Sequence, residues 1–319
     1  MNQTKVVYSI GFRKQYLSWG YSTKEQNRMN DNELKALISL LDDEDQEVVE
    51  HVEQQIRQLG GQMIPLLETE WEGSFSPALQ KRIEELIHDL QYESVLDRMR
   101  DWKNGGAMDL LEGLWIVATY QYPDLSLEKL RQEVEQLYYE VWLDIKPEMH
   151  PDEQVRAMNN AFFTKLKFAP NTKHFHSPAN SMINQVLETR RGNPITLCVL
   201  YMLIAKRLNM PIYGVNLPNL FVLTYKNNSG VQFYINVFNR GLVFTRKDID
   251  QYIDQLNLKR LDTFYQPCTN ADIVRRVLRN LTLAFEKNGD TDRVREVEQI
   301  LNSVRDDGDG LPLSDYTQR

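Results

Sequence analysis

Arg190-Arg191-Gly192-Asn193-Pro194-Ile195-Thr196-Leu197 opens the stretch whose reading decides the fold. Arg190 to Gly192 make a loop, Asn193 stands where a helix is capped, and Pro194 takes the first helical position, where its missing N–H costs nothing. The helix predicted from Ile195 to Leu208 is apolar on almost every face, with Lys206 and Arg207 confined to its last turn. A helix of that composition is buried all round. After Met210-Pro211 the period of the apolar residues switches to two, over Ile212 to Leu217, Leu220 to Tyr225, Val231 to Val237 and Leu242 to Phe244. Turns at Asn227-Asn228-Ser229-Gly230 and Asn239-Arg240-Gly241 separate the last of these runs, which predicts consecutive antiparallel strands. The fold class is α+β, a buried central helix packed on an antiparallel sheet.

Both flanks of this core read as helical. Upstream, apolar spacing predicts helices over 107–121, 126–146, 151–167 and 180–189, broken at Tyr122-Pro123-Asp124, at Lys146-Pro147 and in the loop His174-Phe175-His176-Ser177-Pro178. Downstream come a short helix over Asp248 to Leu256 and a pair over Ile273 to Val304 around Asn288-Gly289-Asp290. Residues 31–95 carry Leu34, Leu37, Ile38 and Leu41, an acidic turn, then Val48, Val49, Val52, Ile56 and Leu59, and a last stripe of Leu79, Ile83, Leu86, Ile87 and Leu90. Helix pairs repeating at about 40 residues resemble a HEAT-like unit, and so short an array is expected to act as an arm that buries its open face on the core C-terminal to it. Residues 1–30 lack periodicity and are expected to be a poorly ordered leader. Met29 stands just before a helix start, so residues 1–28 are either native chain or an upstream extension. Residues 306–319, rich in Asp and Gly, are expected to be a disordered tail.

Four stretches between Leu110 and Arg279 resemble one family. They are Tyr120-Gln121-Tyr122-Pro123-Asp124-Leu125, the run from Ser181 to Leu197 that contains the loop and the helix start, Leu208-Asn209-Met210-Pro211, and Ile235-Asn236-Val237-Phe238-Asn239-Arg240-Gly241. Together they resemble the bacterial SirB-type family of the transglutaminase-like, papain-type superfamily. The resemblance implies a transglutaminase-like core over 96–265 and tetratricopeptide-like helices over 266–305. It also implies an indirect role in regulation.

Active members of that superfamily need a thiolate at the start of the central helix, where the helix dipole lowers its pKa, with a His as base and an Asp or Asn to orient it. Carried over by the resemblance, the three positions are Thr196, Leu220 and Asn236. A threonine hydroxyl is not ionised by a helix terminus alone, and Leu220 moves no proton. Asn236 could orient an imidazole, but the triad holds none. Cys198 lies two residues beyond Thr196, about 200° around the helix, and is expected to be a core cysteine. A scheme pairing it with His174 or His176 is the one route left to acyl transfer or peptidase chemistry. The resemblance leaves a non-catalytic protein that binds a protein or peptide in the old cleft, bounded by Arg190, Arg191, Asn193, Asn219 and Asn236. Arg190 and Arg191 serve equally well as caps of the preceding helix.

The 319 residues carry a net charge of -8 and a 42% apolar content, ample for folded cores. Asp and Glu look scattered along the chain, so no basic face is expected and nucleic acid is excluded as a partner. No apolar run spans a membrane and no signal peptide opens the chain. His174 and His176 lack a third ligand nearby, and no metal or cofactor is expected. His51 and His88 belong to the N-terminal helices and His150 to a connection. Two cysteines, Cys198 and Cys268, make no disulfide framework and fit a reducing cytoplasm.

Overall fold

The computed structural model describes residues 31–146 and 148–305; the expected leader and tail lie outside the described residues. The chain divides into two compact units, one ending at Ile83 and the other beginning at Glu84. The first contains α1 (Asp31–Ser39), α2 (Gln46–Leu59), α3 (Ile64–Gly73) and the start of α4 (Pro77–Asn104). The acidic turn works as expected: the Asp45 carboxylate caps α2 by accepting from Glu47 N at 2.9 Å. Gly60, with φ 74°, ends the helix in a conformation that L side chains resist. Of the apolar residues singled out in the sequence, Leu37, Ile38, Leu41, Val49, Val52 and Ile56 are buried, joined by Met63 and Leu67, while Leu34, Val48 and Leu59 are only partly buried. α4 runs unbroken through residues 95 and 96, where the sequence places the boundary between arm and core.

The second unit adds α5 (Leu110–Thr119), α6 (Leu127–Val141) and α7 (Pro151–Asn160). The last turn before Leu166 is wound as a π-helix, Ala161–Lys165. A two-residue strand β1 (Ala169–Pro170) follows, then α8 (Ile183–Thr189), and β2 (Arg191–Gly192), which pairs in parallel with β1. The central helix α9 (Pro194–Arg207) has its apolar side chains buried from Ile195 through Tyr201. β3 (Ile212–Leu217), β4 (Leu220–Asn227), β5 (Gly230–Asn236) and β6 (Leu242–Phe244) form one antiparallel sheet in sequence order. Phe221, Leu223, Tyr225 and Ile235 pack toward α9. Val215, Leu217, Val222 and Tyr234, on the other face, pack with Ile249 and Ile253 of α10 (Arg246–Gln255). The fold is the expected α+β arrangement of a buried helix on an antiparallel sheet with helical flanks.

α11 (Asn270–Asn288) and α12 (Thr291–Ser303) close this unit. On α12, Glu296 meets His88 at 2.8 Å and accepts from the Tyr120 hydroxyl at 2.6 Å. The bond to Glu296 raises the His88 pKa, against its own partial burial. Burial pushes Glu296 up, but the bonds from His88 and Tyr120 outweigh it and hold the carboxyl below its ordinary value. The sign follows from linkage: the His88 contribution is complete below the ordinary 6.5 and is lost as pH rises through the raised value. The Glu296 contribution is complete above 4.5 and is lost as pH falls through the lowered value. His88 is half exposed, so screening leaves the pair worth under about 1 kcal/mol. In thermal melts, His88→Ala is expected to be destabilising near pH 6 and close to neutral at pH 9. A penalty independent of pH would assign His88 a packing role alone.

Candidate functional site

At the start of α9 the sequence builds a closed polar knot. Asn193 caps the helix by accepting from Thr196 N at 3.0 Å, and its Nδ2 donates to Ser181 Oγ at 3.2 Å. Thr196 is fully buried, and its hydroxyl donates to the Asn180 carbonyl at 2.8 Å, with Asn193 Oδ1 at 3.0 Å as its other acceptor. Asn180 is buried in turn: its Nδ2 donates to the carbonyls of His174 and Phe175 at 2.7 and 3.0 Å, and its Oδ1 accepts from Asn171 Nδ2 at 2.8 Å. A Cβ on Gly192 would come within 2.8 Å of Thr196 Oγ1, so only glycine lets β2 lie this close to the helix start. The segment 178–181, a turn of 3₁₀ helix, thus lies over Thr196. Asn171 reads in the sequence as a loop residue, whereas Asn180 and Ser181 fall in the helix predicted over 180–189, which in the structure begins only at Ile183.

Of the other two positions carried over by the resemblance, one lies on the far face of the sheet and the other is taken up by its own turn. Leu220 packs with the cluster on the α10 face of the sheet, away from α9. Asn236 Oδ1 accepts from Asn239 N at 3.0 Å and caps the turn that follows β5. Nor do the two face each other across the sheet: Leu223 opposes Ile235, which sets Val222, not Leu220, against Asn236. A bulge at Tyr225 and Lys226 shifts the register set by the turn. Asn219 forms the tip of the β3–β4 hairpin with φ 56°, a conformation that asparagine tolerates well. Cys198 is fully buried, its thiol 3.7 Å from the Phe221 carbonyl, and burial pushes its pKa well above the ordinary range. Burial likewise pushes Cys268 up to about 12. His174 and His176 are exposed on their loop.

Arg190 ends α8 in the left-handed conformation, and its guanidinium lies over the Phe168 ring at 4.8 Å rather than on the helix carbonyls. Phe168 stacks on Phe162 at 4.6 Å, Phe162 meets Phe163 at 5.2 Å, and Arg240 lies over Phe163 at 5.8 Å. Two cations therefore hold the ends of one buried aromatic row. Arg191 is exposed beside it. Here the expectation of evenly scattered charge is corrected: residues 154–247 contain twelve Lys and Arg and a single carboxylate, Glu188. The acidic residues that set the net charge lie on either side of this run. Tyr201 of α9 donates to Asn159 Oδ1 at 3.1 Å, and Asn159 Nδ2 donates to the Gly241 carbonyl at 2.9 Å, tying the end of α7 to the loop before β6.

Residues 128–279 match the model of the family described as the Transglutaminase-like superfamily. A UPF0162 protein of Xylella fastidiosa strain 9a5c is 27% identical over 222 residues, covering 64% of this chain and 75% of its own length. A UPF0162 protein of Vibrio cholerae is 27% identical over 43% of this chain and 51% of its own length. The human F-box only protein 21 is 33% identical over 106 residues, 31% of this chain and 17% of its own length. No solved structure matches the chain. No helix among the described residues is long and apolar enough to cross a membrane. With the buried helix, the sheet and the family match all falling in one stretch, residues 128–279 carry a transglutaminase-like domain.

Proposed function

We propose that this domain is a non-catalytic, protein- or peptide-binding module of the SirB type with an indirect regulatory role. The domain would be accompanied by a HEAT-like arm over 31–95 and tetratricopeptide-like helices over 266–305. The observation that carries the reading is the state of Thr196: fully buried, with its hydroxyl spent on the Asn180 carbonyl. Leu220 in place of a base, on the far face of the sheet, points the same way. The competing scheme, a cysteine-dependent acyl transferase or peptidase using Cys198, is disfavoured by a thiol that burial keeps protonated and by histidines that stay in solvent. Two free thiols suit a reducing cytoplasm.

Thiol chemistry tests this directly. Cys198 is expected to react with iodoacetamide at pH 6 only after unfolding, and Cys198→Ser is expected to leave partner binding unchanged. Fast labelling of Cys198 in the folded protein, or incorporation of an amine into a glutamine-containing protein substrate, would overturn the reading.

A further inference from the structure

The sheet has one covered edge and one open edge. At β3 the Gly214 carbonyl accepts from Cys268 N at 2.9 Å, so a later segment of the chain lies along that edge. β6 pairs only with β5, and no described residue bonds the outer side of Leu242–Phe244. Leu242 and Val243, on opposite faces of the strand, are 54% and 43% exposed. Just before β6, Phe238 lies 6.2 Å from Phe175, which is itself 47% exposed on the loop that carries Lys173.

The same end of the domain belongs to the run with a single carboxylate. Of its cations, Arg156, Lys165 and Arg207 are neutralised by Asp152, Asp144 and Glu135. Lys173, Arg191, Arg240 and Lys247 are exposed, and no described carboxylate pairs with them. An open strand edge recognises an extended main chain, because its unpaired N–H and C=O groups repeat at the spacing of a second strand. Apolar side chains on both faces of that edge favour alternate apolar residues in the incoming chain. Cations without carboxylates favour an acidic chain. A nucleic acid satisfies the charge but offers no backbone to the edge.

We propose that the free edge of β6, with Arg240 just before it, Lys173 on the loop whose Phe175 meets Phe238, and Arg191 on β2 at the base of that loop, binds an extended acidic segment of a partner protein, which adds to the sheet as a fifth strand. This rests on the reading of the domain as a binding module and names the surface and its partner. The site lies outside the closed knot around Thr196, so the fold keeps its core intact while it binds.

The probe is a short labelled peptide of alternating Glu and Val, titrated into the full-length protein by fluorescence anisotropy. Binding is expected, with about a tenfold loss when Lys173 and Arg191 are both changed to Glu. Arg295→Glu, on α12, is expected to leave affinity unchanged. Two peptides N-methylated on one or the other alternate set of residues keep charge and side chains; one set is expected to abolish binding and the other to preserve it. Equal binding of both N-methylated peptides, or equal loss with Arg295→Glu, would overturn the proposal. So would tighter binding of a single-stranded RNA of the same charge. Mass spectrometry of the recovered peptide separates the two levels. A cleaved or modified peptide sinks the non-catalytic reading, whereas an intact peptide insensitive to the Lys173 and Arg191 changes sinks the edge proposal alone.

Discussion

Asn180→Ala is expected to cost about 3 kcal/mol, since a buried amide making three bonds loses roughly 1 kcal/mol for each and leaves carbonyls without donors. Its Nδ2 holds the carbonyls of both His174 and Phe175, and its Oδ1 holds Asn171, so one side chain fixes the loop to the start of α9. The bond from Thr196 goes to the backbone carbonyl of Asn180 and survives the change. The variant should therefore keep α9 and the sheet while amides of residues 172–177 exchange fast with deuterium. Urea unfolding gives the stability loss, and exchange locates it. A variant as stable as the parent, with the loop still protected, would show that the network is incidental to the closure of the site.

A second large effect is expected at Gly241. Its φ of 74° lies in the left-handed region, and a Cβ there would sit 2.0 Å from Asn159 Oδ1. Asn159 is the end of a side chain and could swing away, but only by giving up its bonds to Tyr201 and to the Gly241 carbonyl. Overpacking of this kind, with the strain of the left-handed residue, places the cost of Gly241→Ala at about 2–4 kcal/mol. Coupling supplies the check. In an Asn159→Ala background the clash is gone, so Gly241→Ala should cost clearly less than in the parent. Equal costs in both backgrounds would assign the effect to backbone strain alone.

Much of the domain is legible in the sequence because its signals are local. Asn193 and Pro194 mark the start of α9 within a single turn, and the alternation from Ile212 to Phe244 fixes four strands and their order. The register is less legible, since the bulge at Tyr225 and Lys226 adds a residue that no turn signal announces. Closure over Thr196 depends on Asn171, which the sequence places in a loop, and on Asn180, which it places at the start of a helix, and only the fold brings both to the start of α9. The basic run is present in the sequence throughout. Net charge conceals it, because the carboxylates on either side outnumber the cations between them.

The contact between α4 and α12 has a consequence for the order of assembly. Each hairpin of the sheet closes over a turn of a few residues, an event of microseconds. His88 and Glu296 are 208 residues apart, and the entropy of closing so long a loop must be met before their bond contributes anything. The meander is thus expected to zip early and α12 to dock on α4 late, which makes the joining of the two ends the slow part of folding this unit. By the same count it is the part that strain reaches first, so a pull on the chain at its C-terminal side would peel α12 away while the sheet and its buried helix remain whole.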